Sequence, residues 1–272
     1  MKQTLCSVVS NVEIMPGIRL MWIEAPDIAS SAQPGQFTTV RCGDFTLRRP
    51  FSVHQVSSRE IAFLFKVAGQ GTLWLSQRET GERIDILGPL GEGFSIPPTK
   101  LGQSKNLLLV AGGIGIAPLV LLMQHASPQY QIALIHGAST AAQLYHFSSA
   151  SKKRTKLSHL PKGVQFIPVT EDGSMGQKGR ATDILPDFLD WTDQVYACGP
   201  VDMYRAMAGM SLRAKRSGLK LRKCQVSLEV RMGCGFGACY GCTVNTRKGL
   251  KRICRDGPVF ELDDIIWQEV RI

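Results

Sequence analysis

No apolar run in this chain is long enough to span a bilayer. The longest, residues 107–123, is interrupted by Gly112, Gly113, Gly115 and Pro118 and falls short of the roughly 20 residues a helical span needs. The first twenty residues place polar or charged side chains every few positions and lack the apolar centre of an export signal. A cytoplasmic protein with no membrane attachment is expected. Internal repeats and strongly polar or low-complexity stretches are also missing, which excludes a solenoid and a disordered chain. With 272 residues, 44% of them hydrophobic and 20% charged, the composition is that of a globular protein of two domains, or two plus a small module.

Eight cysteines without an export signal point to metal ligands or isolated buried thiols rather than disulfides. Cys6, Cys42, Cys198 and Cys224 are scattered, whereas the other four are bunched near the C-terminus. The net charge of +10 is also local, because residues 211–256 carry twelve Lys or Arg against Glu229 and Asp256. Aromatic side chains interleaved with those cations, which a single-stranded nucleic acid would need, are nearly absent. No nucleic-acid partner is expected. A cluster with four thiolate ligands is itself anionic, and nearby cations would stabilise it.

Residues 1–98 alternate short β-like runs (TLCSVV, IRLMWIEA, GQFTTVRC, PFSVHQV, EIAFLFKV, ERIDILG) with Gly, Pro, Asn and Ser. Six such runs predict an antiparallel barrel, interrupted by a helix over 72–78. Residues 96–104 are the linker candidate. From residue 105 the pattern becomes βαβ. NLLLVA, QIALIHG, GVQFIPVT and QVYACG read as buried parallel strands. IAPLVLLMQH and ATDILPDFL read as helices, and a third helix follows Pro200 with Gly218 as its stop. Residues 148–162 read as a basic, Ser-rich loop. The predicted fold class is therefore a β barrel plus α/β: a barrel domain over 1–98, a parallel-sheet nucleotide-binding domain over 99–220, and a small cysteine-rich module over 221–272.

The spacing Cys234-x4-Cys239-x2-Cys242-x11-Cys254 fits the plant-type [2Fe–2S] pattern of three close cysteines and one remote one. Gly233, Gly235, Gly237 and Gly241 let the backbone wrap closely and turn N–H groups toward sulfur. Zinc is the alternative, but zinc sites usually come as two C-x2-C knuckles. A second constellation joins Arg49-Pro50-Phe51-Ser52, Leu64-Phe65-Lys66 and Gly71-Thr72. Arg49 with a helix start can neutralise a pyrophosphate, and Ser52 can donate to a flavin ring nitrogen. The alternative is a surface arginine and an ordinary helix cap. A third is Gly112-Gly113-Ile114-Gly115-Ile116-Ala117-Pro118 between strand and helix, with Pro118 where a dinucleotide fingerprint would end in glycine. Cys198-Gly199-Pro200 ends a strand at the edge where open α/β sheets bind ligands.

In the order RRPFS, GQGT, AGGIGIAPL, ACGP, the chain resembles the ferredoxin–NADP reductase superfamily. With SLEVRMGCGFGACYGC and CRDGPVF it resembles, more narrowly, the electron-transfer subunits of type B dihydroorotate dehydrogenases. The resemblance covers almost the whole chain. It implies FAD held by Arg49, Pro50, Phe51, Ser52, Leu64, Phe65, Lys66, Gly71 and Thr72, with Lys66 where an arginine is expected. It implies NAD over Gly112, Gly113, Gly115 and Pro118, the turn Thr170, Asp172, Gly173, and Cys198, Gly199, Pro200, Met203. It implies a [2Fe–2S] cluster on Cys234, Cys239, Cys242 and Cys254. The implied partner is an FMN-containing dihydroorotate dehydrogenase catalytic subunit, in a heterotetramer of two of each. Electrons would run from that FMN through the cluster and FAD to NAD+, in pyrimidine biosynthesis, with no side chain acting as acid or base.

Two other readings are weighed. Similar flavin and cluster subunits serve ferredoxin-dependent transhydrogenases and sulfhydrogenases, although Cys234 and the Arg231-Met232 lead-in favour the dihydroorotate enzyme. A basic scaffold with a zinc-stabilised tail belongs to another class. The strand ending His136-Gly137-Ala138-Ser139 has no acidic ribose partner, and Lys152, Lys153, Arg154 and Lys156 offer charge for a 2′-phosphate; the resemblance favours NAD.

Overall fold

The computed structural model describes residues 1–98, 105–147, 159–216 and 223–270. Most of the basic loop, the predicted helix stop at Gly218, the 2′-phosphate candidates Lys152, Lys153, Arg154 and Lys156, and the linker beyond residue 98 lie outside the described residues.

The N-terminal third forms seven strands: β1 (Lys2–Met15), β2 (Ile18–Glu24), β3 (Phe37–Arg41), β4 (Arg49–Ser52), β5 (Gln55–Val56), β6 (Glu60–Lys66) and β7 (Arg83–Leu90). Two short helices join them, α1 (Pro26–Ala29) and α2 (Gln70–Ser76). All pairings are antiparallel, in the order β4-β3-β7-β1-β2-β6-β5. The outermost strands β4 and β5 are separated by only Val53 and His54, so the chain itself closes the barrel. The run PFSVHQV, predicted as one strand, is therefore two strands with a corner. The predicted helix at 72–78 starts two residues earlier, at Gln70.

The second sheet contains β8 (Asn106–Gly112), β9 (Gln131–Ala138), β10 (Val164–Thr170), β11 (Gln177–Lys178), β12 (Gln194–Cys198) and β13 (Lys223–Ser227). Helix α3 (Ile116–Ala126) follows β8, and α4 (Val201–Arg216) follows β12. The C-terminal segment adds a hairpin, β14 (Thr243–Thr246) with β15 (Gly249–Arg252), then α5 (Ile253–Asp256) and β16 (Val259–Glu261). Strand order is β11-β10-β9-β8-β12-β13-β16, parallel except for β16. The predicted boundary at 220 thus separates β13 from the sheet it completes, and β16 returns from the cysteine-rich segment to cover that sheet's edge. The edge that remains on this side, β16, is only three residues long, and a short edge strand leaves few N–H groups open to another chain.

Both faces of this sheet are covered, as its continuous apolar strands demand. Leu107 and Leu109 face α3 and one apolar core, while Leu108 and Val110 face the opposite core. The second core also holds Met207 of α4 with Cys242, Ile253, Cys254, Ile265 and Trp267. The cysteine-rich segment is therefore packed onto the sheet. Leu121 of α3 belongs to the barrel core instead, so α3 fastens the two sheets together. The helix predicted over ATDILPDFL is absent; turns and a 3-10 segment, Leu185–Phe188, occupy it. Asp183 accepts from the Arg180 N–H at 2.7 Å, and Pro186 has no N–H to continue a ladder.

Candidate functional site

Strands β9 and β10 are added to one side of β8 and β12 and β13 to the other, so strand order reverses between β8 and β12, the switch point where the crevice of an open α/β sheet lies. Their carboxyl ends touch. A Cβ on Gly115 would collide with the Cys198 carbonyl, and one on Gly112 would meet Pro200 Cδ at 2.7 Å. Gly113 has φ +53°, a left-handed turn suited to glycine. From this junction a cleft of about 1530 Å³ runs between the sheets to the end of the barrel.

On the barrel side the cleft is lined by Arg49–Ser52, Leu64–Lys66, Gly71 and Thr72. Phe51 points into the barrel core, its ring 5.6 Å from both Phe63 and Phe65, so by strand alternation Pro50 and Ser52 take the other face. Arg49 lies flat against the start of α2: a Cβ on Gly71 would fall 2.8 Å from its Nε. Its Nη1 donates to the Leu47 carbonyl. The Thr72 hydroxyl accepts from the N–H groups of Ala68 (2.9 Å) and Gly69 (3.0 Å) and donates to the Gly69 carbonyl. Thr72 therefore shapes the turn that presents Gly71. The groove beside Arg49, kept open by a glycine, fits the pyrophosphate of a flavin dinucleotide.

On the sheet side the lining includes Gly112, Gly113, Gly115, Pro118, Cys198, Gly199, Pro200 and Met203. Cys198 is 7% exposed. Burial, reinforced by the charge of Glu229, pushes its thiol up to about 12, so it is a neutral thiol. Tyr204 accepts from the Gly199 N–H at 2.9 Å and donates to the Ser227 carbonyl at 2.6 Å, tying the Cys198–Pro200 turn to β13. Thr170, Asp172 and Gly173 do not line the cleft. Thr170 is fully buried and bonds both backbone groups of Met175. Asp172 accepts from the Ser174 hydroxyl and N–H, which hold its carboxyl below the usual range. That wall is built by Glu171 and Gly179–Thr182 instead.

Sequence reasoning missed Glu229, Arg231 and Met232 as lining residues. The surrounding protein pushes the Glu229 carboxyl up although its side chain remains open to the cleft. Arg231 and Met232 matter because they lead directly into the cysteine loop.

That loop arranges the four thiols as two pairs. Cys234 Sγ accepts from the N–H groups of Ala238 (3.2 Å) and Cys239 (3.4 Å), while Cys239 Sγ accepts from those of Cys234 (3.5 Å) and Gly241 (3.4 Å). Cys242 Sγ accepts from the Cys254 N–H at 3.4 Å, and the two thiols are in side-chain hydrogen-bond contact. Burial acts to raise the Cys234 thiol, but N–H groups of Cys239, Phe236 and Ala238 bring it down to about 6. Cys254, buried and beside the Cys242 and Cys234 sulfurs, is pushed up to about 12. Among the described residues no three His, Cys, Asp or Glu side chains converge on a single metal ion. Two pairs of thiols suit two irons, each taking two thiolates, better than one tetrahedral zinc. Cations stand close: Arg252 Nη1 donates to the Gly237 carbonyl at 3.0 Å and its guanidinium lies 4.9 Å over Tyr240, while a Cβ on Gly237 would meet Arg255.

Residues 229–266 match the iron–sulfur cluster binding domain of dihydroorotate dehydrogenase B, and residues 109–209 match the oxidoreductase NAD-binding domain. The dihydroorotate dehydrogenase B (NAD(+)) electron transfer subunit of Desulforamulus reducens is 39% identical over 269 residues, covering 94% of this chain and 95% of that one. Its counterpart in Caldanaerobacter subterraneus is 37% identical over 240 residues, covering 86% and 87%. This chain belongs to the dihydroorotate dehydrogenase B electron transfer subunit family. Among solved structures, a chain of the NADH-dependent reduced ferredoxin–NADP oxidoreductase superposes with a TM-score of 0.80 at 28% identity, covering 98% of this chain and 91% of that one. The electron transfer subunit family thus shares its architecture with a ferredoxin-linked enzyme, the rival that sequence reasoning weighed, and sequence identity rather than fold separates them. A ferredoxin NADP+ reductase from Neisseria gonorrhoeae shares the fold at a TM-score of 0.62.

Proposed function

We propose that this chain is the electron transfer subunit of an NAD-dependent dihydroorotate dehydrogenase, accepting electrons from the FMN of a catalytic subunit and delivering them to NAD+ in pyrimidine biosynthesis. The observation that carries the reading is the continuity of one cleft from Arg49 and Ser52 through Gly113 and Cys198 to Arg231 and Met232, which stand three and two residues before Cys234 in the chain. When bound, the [2Fe–2S] cluster supplies one-electron transfer and FAD the conversion to the two-electron chemistry of nicotinamide.

The chain's own residues bind and orient. Arg49 and Gly71 hold the FAD pyrophosphate, and Ser52 orients the flavin ring. The turn Gly112–Pro118, at the start of α3, receives the NAD phosphates. Cys198, Gly199, Pro200 and Met203 form the floor beside the nicotinamide, with Cys198 contributing a neutral thiol. Cys234, Cys239, Cys242 and Cys254 would hold the [2Fe–2S] cluster, their two thiol pairs matching its two irons. Lys66 keeps the charge of an arginine without its two-pronged hydrogen bonding. The partner is the FMN-containing catalytic subunit, in an assembly of two of each.

The test is chemical analysis of protein purified without oxygen. About two irons and two sulfides per chain, as the four-cysteine pattern requires, together with one FAD and bleaching by NADH, are expected. A colourless protein holding one zinc and no flavin overturns the reading. Co-purification with the catalytic subunit and a mass equal to two of each chain tests the assembly.

A further inference from the structure

Two buried histidines lie behind the nucleotide turn, and neither lines the cleft. His136 sits on β9 and is fully buried; its Nε2 is 3.0 Å from the Gly113 carbonyl, and its Nδ1 accepts from the Tyr145 N–H at 3.3 Å. His54 comes from the other sheet, at the corner between β4 and β5, and is also fully buried; its Nδ1 is 2.8 Å from the Ala117 carbonyl, and its Nε2 is 3.2 Å from the Tyr145 hydroxyl. Carbonyl oxygens only accept, so His136 carries its proton on Nε2 and His54 on Nδ1. Tyr145 therefore donates to both rings, through its N–H to one and its hydroxyl to the other. Phe147 and Phe166 close the box, with Phe147 5.0 Å from Tyr145 and 5.5 Å from Phe166 between ring centroids. Burial in these surroundings lowers both imidazoles to about 4, so both are neutral.

We propose that His54, Tyr145 and His136 are positioning residues for the dinucleotide, gripping the carbonyls of Gly113 and Ala117 at the two ends of the turn and thereby fixing the direction in which the Ile114 N–H faces the cleft. In a planar trans peptide the C=O and the following N–H point in opposite directions. Anchoring the Gly113 carbonyl to His136 turns the Ile114 N–H away from β9, and Ile114 lines the cleft. Gly113 is left-handed, at φ +53°, and glycine has no side-chain preference to hold that conformation. The His136 bond adds a restraint from β9 to the one the Ile116 N–H already places on the Gly113 carbonyl. The second grip comes from the barrel, two residues after Ser52, so one network ties the flavin-side strand to the phosphate turn.

The proposal rests on the nucleotide reading above, and the test separates the two. NAD+ is titrated into the flavin- and cluster-loaded chain by calorimetry, and amide exchange of residues 114–117 is followed without nucleotide. His136→Leu removes the donor to Gly113 and is expected to weaken NAD+ binding about five- to tenfold, the worth of a neutral hydrogen bond, and to speed exchange in the turn. His136→Gln, whose amide can donate from a similar position, stays within about twofold of wild type. Tyr145→Phe removes one hydroxyl, keeps the fold, and speeds exchange at Ala117 and its neighbours. Unaltered NAD+ binding and exchange in H136L and Y145F, or equal loss in H136Q and H136L, overturns the clamp while leaving the nucleotide reading intact. A wild-type chain that binds no NAD+ overturns both.

Discussion

Arg49 lies so close to Gly71 that a side chain at position 71 would displace it. In Gly71→Ala the new methyl meets the guanidinium, which must shift from its place against the start of α2. A charge-assisted hydrogen bond is worth about 1.5–3 kcal/mol, so FAD affinity is expected to fall about tenfold or more, read as flavin released per chain after gel filtration. Unchanged flavin content would remove Arg49 from the binding role. The four cysteines form a second residue-scale test. Cys254→Ser should lower iron from about two per chain to less than half that, with flavin content retained because Cys254 lies off the cleft. The cysteine spacing and the RPFS, glycine-turn and Cys198 motifs were all legible in the sequence because each needs only local order. Glu229, Arg231 and Met232 were not, since nothing local marks a polar or flexible side chain as lining a cleft.

At the scale of elements, Trp267 is one anchor of the C-terminal segment. Trp267 is buried, donates its indole N–H to the Leu262 carbonyl at 2.9 Å and lies 5.2 Å from the Tyr204 ring. Arg205 of α4 reaches the carbonyls of Trp267 and Val270. Trp267→Ala should cost about 3–5 kcal/mol, measured by denaturant unfolding, and should loosen the cluster segment along with α4. A second element-scale expectation concerns the β8–β12 junction. Gly115→Ala forces the turn off the Cys198 carbonyl and should destabilise by about 1–3 kcal/mol while weakening NAD+ binding. The strand pattern was legible here because buried parallel strands are apolar throughout. The helix expected over ATDILPDFL was misread because its apolar spacing spans barely two turns, and the Asp183 and Pro186 turn chemistry outweighs so short a pattern.

For the whole molecule, acid sensitivity follows from the two buried histidines. Each has a folded-state value lowered to about 4 by desolvation, against an ordinary 6.5. Between those values the unfolded chain binds more protons than the folded one, so stability rises with pH across this window and is lost as pH falls through it. Each histidine accounts for at most about 3 kcal/mol. Thermal unfolding midpoints should therefore drop between about pH 6.5 and pH 4, and a variant with both histidines replaced by glutamine should show a shallower drop. An unchanged slope in that variant would place the acid sensitivity elsewhere.

The sequence by itself determined the kinds of element and the ligands. Alternation along the first third set an antiparallel barrel, continuous apolar runs set a parallel sheet, and four cysteines with glycines between them set a cluster loop, all because period and spacing are properties of the chain alone. Only the tertiary structure decided that β13 and β16 belong to the same sheet, that PFSVHQV breaks at a corner so that His54 can reach the Ala117 carbonyl, and that Arg231 and Met232 join the cluster loop to the cofactor cleft. These are contacts between residues dozens of positions apart, fixed by how two sheets and one helix bury their faces against each other, and no local pattern encodes them.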